Sequence, residues 1–336
     1  MTPVTAAVRT EQRSAGWDGA APTIAVVVST HGRSHYLAGL LDALELQDTK
    51  DFEVVIADNG SPDDTWQVLL DRCARTSLRL LALRLDPHDG PAVPRNTAVA
   101  RTRAPLLAFT DDDCVPTPGW LAALQHALAP GVTVAQGRTE PQPGEGGGAW
   151  GRTLRVDRLT GLYETANLGC PRVAFDVADG FPAERLLSGR AFGEDVLLGY
   201  RLAAAGSAVF APDALMRHRI VPGTYRQFLS ERRRLEGFPV LLRRVPQMRR
   251  LLLGGVFLSR RTAVADLGLA GVLVAAGLQS PYPLAAALPW AAQCWRAART
   301  RPGRPRLVRA GQLAAGDTVA AAALVTGSVR ARRLVL

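Results

Sequence analysis

Three consecutive carboxylates, Asp111-Asp112-Asp113, end the short apolar run Leu106-Leu107-Ala108-Phe109-Thr110. Cys114 and Val115 follow, then the breakers Pro116, Pro118 and Gly119. The run reads as a buried strand, and Trp120 opens an amphipathic helix. Like charges at a strand end repel and are costly to desolvate, so folding does not call for them. A divalent cation does: carboxylate oxygens suit Mg2+ or Mn2+, ions that commonly bridge carboxylates to a substrate's phosphates. A solvated acidic turn is the alternative, because exposed carboxylates are ordinary. Four other stretches carry groups able to do chemistry. They are Ser29-Thr30-His31-Gly32-Arg33, Asp58-Asn59-Gly60-Ser61, the pair Glu194-Asp195, and His218 between Arg217 and Arg219.

The elements that must position these groups are visible as periodicity. Residues 24–28 and 52–57 are short apolar runs rich in β-branched residues, as expected of strands buried on both faces, and 78–85 reads as a third strand. Apolar spacing predicts helices over 36–46, 64–75 and 95–103, so strands and helices alternate as in βαβ units with a parallel sheet. Ligands of such sheets bind beyond the carboxyl ends of the strands. Asp58 and Asp111–Asp113 sit at two such ends and can converge on one crevice. Residues 131–151 read as a loop and breaker region, 208–210 as a short strand, and Glu194-Asp195 opens a helix that Gly206 stops.

The 336 residues can bury a full core, and their net charge of +10 points to an anionic partner. Lys50 is the only lysine, so arginine carries the charge. Cys73, Cys114, Cys170 and Cys294 are too scattered for a disulfide framework or a metal-ligand spacing, which favours a reducing cytoplasm. Residues 1–21 have no apolar core of a signal peptide and are expected to form a disordered tail. Beyond residue 226 the chain is expected to be helical and arginine-rich, with pairs such as Arg243-Arg244 and Arg260-Arg261 beside apolar segments. No charge interrupts residues 267–295, although Pro281, Pro283 and Pro289 break that stretch. Arginines flanking apolar segments, without interleaved exposed aromatics, favour an anionic membrane surface over nucleic acid.

With these pieces in order, residues 22–225 resemble the catalytic domain of a family 2 glycosyltransferase of the GT-A fold. Val26-Val27-Val28-Ser29-Thr30-His31-Gly32-Arg33 resembles the family's first strand and its end. Val54-Val55-Ile56-Ala57-Asp58-Asn59-Gly60-Ser61 resembles its Val-Asp-Asp-Gly-Ser segment. The stretch Gly90-Pro91-Ala92-Val93-Pro94-Arg95-Asn96, leading to Phe109-Thr110-Asp111-Asp112-Asp113, resembles its Ala-Arg-Asn helix and Asp-x-Asp strand. Gly193-Glu194-Asp195-Val196-Leu197-Leu198 resembles its Gly-Glu-Asp-x-x-Leu helix.

The resemblance implies an α/β fold: a Rossmann-like, mostly parallel sheet flanked by helices, followed by a helical C-terminal region. It also implies inverting transfer of a sugar from a UDP-, GDP- or dTDP-sugar to a hydroxyl of a glycan, lipid-linked intermediate or small molecule. In that reading Asp113 is the leading ligand of Mg2+ or Mn2+, with Asp111 and His218 beside it. Thr30, His31, Arg33, Asp58, Asp111 and Asp112 lie around the nucleotide, Asp195 is the general base and Glu194 orients the acceptor. Residue by residue, ordinary roles compete with these. Asp58 could serve an Asx-turn, Arg95 and Asn96 could be plain helix-start residues, Glu194 and Asp195 could merely complement a helix dipole, and His218 could be a surface histidine.

Two readings from other classes compete with the transferase. Asp111 and Asp113 also fit a haloacid-dehalogenase-like phosphatase, although that motif usually lies on the first strand. A non-catalytic membrane-bound module is the other. The expected place is the cytoplasm, peripheral on the inner face of the cytoplasmic membrane, where the C-terminal helices could also pair two copies.

Overall fold

The computed structural model describes residues 3–17, 19, 21–87, 90–184, 192–300, 302–303 and 305–336. It divides into two compact units, the first chiefly of residues up to Glu145 and from Thr153 to Arg219, the second chiefly of Gly146–Arg152 and Ile220–Leu336.

The first unit is α/β. Its elements in order are β1 (Val8–Arg13), β2 (Ile24–Thr30), α1 (Ser34–Glu45), β3 (Phe52–Asp58), α2 (Thr65–Arg75), β4 (Arg79–Leu85), α3 (Ala92–Val99) and β5 (Leu106–Asp111). Then come β6 (Cys114–Pro116), α4 (Trp120–Ala127), β7 (Val132–Pro141), β8 (Leu168–Pro171), α5 (Arg172–Val177), α6 (Glu194–Ala205) and β9 (Ser207–His218). The sheet order is β1-β4-β3-β2-β5-β8-β7-β9-β6. β4, β3, β2 and β5 run parallel, and the chain proceeds outward from β2 through β3 and β4 before crossing back to β5 on its other side. The reversal beside β2 is where a crevice opens at the carboxyl ends. Register brings the chemistry level, with Thr30 beside Asp58 and Ser29 beside Asp111.

Period-two alternation on the buried strands builds two cores. Ile24, Val26, Val28, Val54 and Ile56 face α1, α2 and α4, where Leu37, Leu41, Leu69 and Trp120 pack. Ala25, Val27, Val55 and Ala57 face the opposite layer, with Phe109, Phe175, Leu198 and Leu202. All of these strand residues are fully buried, which accounts for their uninterrupted apolar runs.

The structure corrects three expectations. Val8–Arg13, assigned to a disordered tail, forms an antiparallel edge strand on β4. Its sequence, VRTEQR, is mostly exposed, so pairing rests on backbone hydrogen bonds that composition does not reveal. Within the region read as loop, Val132–Pro141 is a ten-residue strand. The short strand at 208–210 extends through His218, placing that histidine opposite Cys114 in the sheet. Of the expected tail, Met1, Thr2, Asp18 and Ala20 lie outside the described residues, as do His88 and Asp89 of the loop before α3.

The second unit is helical: α7 (Tyr225–Arg234), α8 (Gly237–Arg244), α9 (Arg260–Leu278), α10 (Leu288–Ala297) and α11 (Arg306–Ala331). α11 packs against the other four. Capping boxes start α7 at Thr224/Gln227 and α9 at Ser259/Thr262. Asp317 of α11, 5% exposed, accepts from Arg261 Nε at 2.9 Å, Arg261 Nη2 at 3.1 Å and Trp290 Nε1 at 3.1 Å, joining α9, α10 and α11. Removing one partner of a buried ion pair leaves the other charge uncompensated. Asp317→Ala is therefore expected to cost about 3 kcal/mol, read as a lower urea midpoint of the helical unit by far-ultraviolet circular dichroism.

Candidate active site

The strand ends and the start of α6 bring most of the singled-out residues of the first unit together. Each element presents its group for a local reason. Asp58 closes β3 and its Oδ1 accepts from Ser61 N at 2.9 Å, the Asx-type turn that competed with a binding role. Gly60 within that turn has φ +66°, and a Cβ there would meet the Pro87 ring at 2.5 Å, so glycine is required. Among the described residues buried Asp58 Oδ2 has no hydrogen-bond partner, and it lies 4.0 Å from Arg84 Nε. A buried carboxylate oxygen with spare capacity fits a donor from a ligand's base or ribose.

The three aspartates part company. Asp112 turns inward: Oδ2 accepts from Thr30 Oγ1 at 2.7 Å and Oδ1 from Arg33 Nη1 at 2.9 Å. Burial pushes its carboxyl up to about 6 against the pull of Arg33 and the Thr30 hydroxyl. Thr30 and Asp112, both expected at the nucleotide, are bonded to each other, and Asp112 also accepts from Arg33. The same Nη1 also donates to Asp113 Oδ2 at 2.9 Å. His31 remains exposed, with Nδ1 3.0 Å from Asn59 O.

Among the described residues Asp113 Oδ1 has no hydrogen-bond partner, and it lies 3.5 Å from His218 Nε2. His218 Nδ1 is 2.8 Å from Arg219 O, a carbonyl that can only accept, so Nδ1 carries a proton and Nε2 is the ring nitrogen facing Asp113. A carboxylate oxygen and an imidazole nitrogen facing each other are a donor pair that suits a divalent cation. Cys114 is near enough to join them, the three ligand atoms lying within 4.8 Å of one another. Its thiol is fully buried, pushed well up by burial and directed at Ala166 O. Burial also raises the Asp113 carboxyl, with Asp111 adding to the effect. A desolvated, partly unpaired carboxylate detracts from stability, as functional groups often do.

Asp111 remains the most open of the three, its side chain 32% exposed. Its Oδ1 accepts from Arg95 Nη2 at 2.6 Å, and Arg95 Nη1 donates to Asp195 Oδ1 at 3.3 Å. One buried guanidinium thus links the carboxylate at the β5 end to the one at the α6 start. Thr165 completes the hold on Asp195, donating to Oδ2 from Oγ1 at 2.9 Å and from N at 3.3 Å. Burial raises the Asp195 carboxyl; Arg95 opposes the rise and Asp111 adds to it. Glu194 precedes it in the first turn, where the helix dipole favours both anions. Asn96 takes the ordinary role: its amide bonds the backbone of Phe181 and Val4.

Two residues here were not assigned from sequence. The sequence does not separate a site role for Arg95 from a plain helix start, because α3 is buried on every side and amphipathicity does not say which way its arginine points. Thr165 lies in a short 3-10 turn, Thr165–Asn167, with no motif around it.

Residues 25–183 match the family described as Glycosyl transferase family 2. The chain is 28% identical over 224 residues to validoxylamine A glucosyltransferase of Streptomyces hygroscopicus subsp. jinggangensis, covering 55% of this chain and 52% of that protein. It is 27% identical over 157 residues to glycosyltransferase AglE of Haloferax volcanii, covering 46% and 50%. The chain therefore spans about half the length of these curated relatives. Among solved structures it is similar to the mannosyltransferase PcManGT from Pyrobaculum calidifontis in complex with GDP-Man and Mn2+. That match has a TM-score of 0.56 and 19% identity, covering 94% of this chain and 90% of that one.

Proposed function

We propose that this chain, whose residues 25–183 belong to glycosyl transferase family 2, moves a sugar from a nucleotide-diphosphate donor to a hydroxyl acceptor with inversion at the anomeric carbon. One observation carries the reading: Arg95 joins Asp111, at the crevice of the strand ends, to Asp195, so the donor end and a basic carboxylate share one site. Direct displacement needs a carboxylate to take the acceptor's proton as its oxygen attacks. Asp195 suits that role, held by Thr165 on one side and Arg95 on the other. Glu194 orients the acceptor, a hydroxyl of a glycan, a lipid-linked intermediate or a small molecule.

Asp58 Oδ2 and the His31 ring receive the nucleotide's base or ribose, and Asp111 faces the ribose. Arg33, fixed by Asp112 and Asp113, presents positive charge to the diphosphate. Asp113 Oδ1 and His218 Nε2 would hold Mg2+ or Mn2+, which when bound neutralises charge gathering on the departing diphosphate. The complex of the mannosyltransferase neighbour with GDP-Man and Mn2+ supports a nucleotide-sugar donor and a metal.

A panel of UDP-, GDP- and dTDP-sugars with Mn2+ or Mg2+ tests the reading. Nucleoside diphosphate is expected to be released from one nucleotide class, faster with an acceptor alcohol, and the product's anomeric proton reports inversion by NMR. Release of inorganic phosphate from phosphomonoesters, with no nucleoside diphosphate from any sugar nucleotide, would overturn it.

Arg95 supplies a second expected result. Its cation lowers the Asp195 carboxyl against burial, so Arg95→Met raises that carboxyl further. The base works only when ionised, and activity is lost as pH falls through its folded value. The acid limb of kcat/KM is therefore expected to move to higher pH in Arg95→Met and to return toward wild type in Arg95→Lys. An unshifted limb would leave Arg95 with packing alone.

A further inference from the structure

We infer that α9 and α10 form an apolar hairpin that inserts into one leaflet of a membrane rich in anionic lipid. The inference goes beyond the transferase reading and does not depend on it.

The first observation is that α9 is built inside out. Its inward positions are small: Gly268, Gly271 and Ala275 are buried. A Cβ at Gly268 would meet Trp290 at 2.9 Å, and one at Gly271 would meet Pro283 O at 2.6 Å, so the following segment lies directly on this seam. The bulky residues point away. Leu267, Leu273 and Leu278 are 59%, 73% and 68% exposed, and Tyr282 and Leu288 continue the surface at 86% and 68%. At 100° per residue, the exposed Leu267, Val272, Leu273 and Val274 surround most of the helix, wider than the stripe of a helix that packs on one partner. Only 28% of its apolar 18-residue window is buried. Small residues between helices with large apolar residues outside is how helices associate in lipid, where burying apolar surface brings no gain between them. An exposed apolar surface of this extent marks an interaction site.

The second observation is where the charges lie. No charged residue falls between Leu267 and Trp295. The two arms run antiparallel, since Gly271 meets Pro283 and Ala286, Gly268 meets Ala287 and Trp290, and Gln293 Nε2 bonds Arg261 O. Arg260, at the start of α9, and Arg296 and Arg299, at the end of α10, are therefore at the same end, all exposed, with the tip near 278–283 uncharged. Arg306 adds a cation over the Trp295 ring at 3.9 Å. An apolar tip with an arginine collar at its base is complementary to a bilayer whose headgroups are anionic. Both arginine groups then lie on the same side of the bilayer.

Length then fixes the depth. From Leu267 to Leu278 the helix rises about 18 Å at ~1.5 Å per residue. That is about the depth of one leaflet of a ~30 Å hydrocarbon core and too short to cross it.

The test uses the full chain and vesicles. The native cysteines are all buried, so Tyr282→Cys provides one accessible thiol for an environment-sensitive fluorophore. With vesicles containing phosphatidylglycerol, the label is expected to shift to the blue and to be quenched by lipids brominated in the acyl chain. Pure phosphatidylcholine should bind at least tenfold more weakly. Leu273→Asp/Leu278→Asp should float with vesicles at least tenfold less while keeping its melting temperature, since both positions are exposed. A label that is never quenched by acyl-chain bromine would overturn the inference. So would a protein that ignores vesicles and sediments as a dimer that Leu273→Asp/Leu278→Asp dissociates, which would make the surface an interface between two copies.

Discussion

Asp195→Asn is expected to lower turnover by about 10²–10⁴ while donor affinity stays near wild type. The change keeps the side chain's shape and removes the proton acceptor. It also disturbs the pairing in a defined way. Asp195 accepts on one oxygen from Arg95 and on the other from the hydroxyl and backbone N of Thr165. An amide oxygen can satisfy only one of those sides, and its NH2 group then faces a donor on the other. The loss is local, and the global fold is not expected to suffer. Burial has raised the Asp195 carboxyl above its unfolded value, so its ionised form detracts from stability at pH above the folded value. Removing that charge therefore takes away a cost that is present at neutral pH, and the melting temperature should hold. The measurement is single turnover at saturating donor beside calorimetric titration of the donor. A collapse of affinity with unchanged turnover of bound donor would make Asp195 a binding residue.

How far the site was legible from sequence follows from burial. β2, β3 and β5 are covered on both faces, so they read as continuous apolar runs, and the polar residues that interrupt them mark their carboxyl ends. That was enough to place Asp58, Asp111 and Asp113 in one crevice. Three adjacent aspartates carry no sign of which turns inward; only the folded turn after β5 gives Asp112 to Thr30 and Arg33. Arg95 was ambiguous for the opposite reason, because a helix buried all round has no polar face to read. Edge strand β1 was missed since its side chains are solvated and its pairing is a backbone matter. His218 was read from position alone. Its geometry depends on β9 continuing past its apolar start to pair with β6, a contact between residues far apart in the chain.

Asp113→Ala is expected to abolish divalent-dependent turnover and to weaken Mn2+ binding by more than the ~10–100-fold that loss of a mere outer-shell partner costs. In the folded protein Asp113 offers one oxygen to Arg33 and leaves the other facing His218 Nε2. Truncation leaves Arg33 paired with Asp112, so no cation is stranded and unfolding should be little changed. His218→Ala removes the imidazole nitrogen and should weaken Mn2+ less, because the carboxylate supplies the charge that holds a hard cation. Mn2+ binding followed by electron paramagnetic resonance reads this without any turnover, so it stands even before the donor sugar is known. Undiminished Mn2+ binding in Asp113→Ala would remove the metal from this pair of ligands. Full turnover of the wild type in excess chelator would remove it from the reaction, leaving Arg33 as the cation that meets the departing diphosphate.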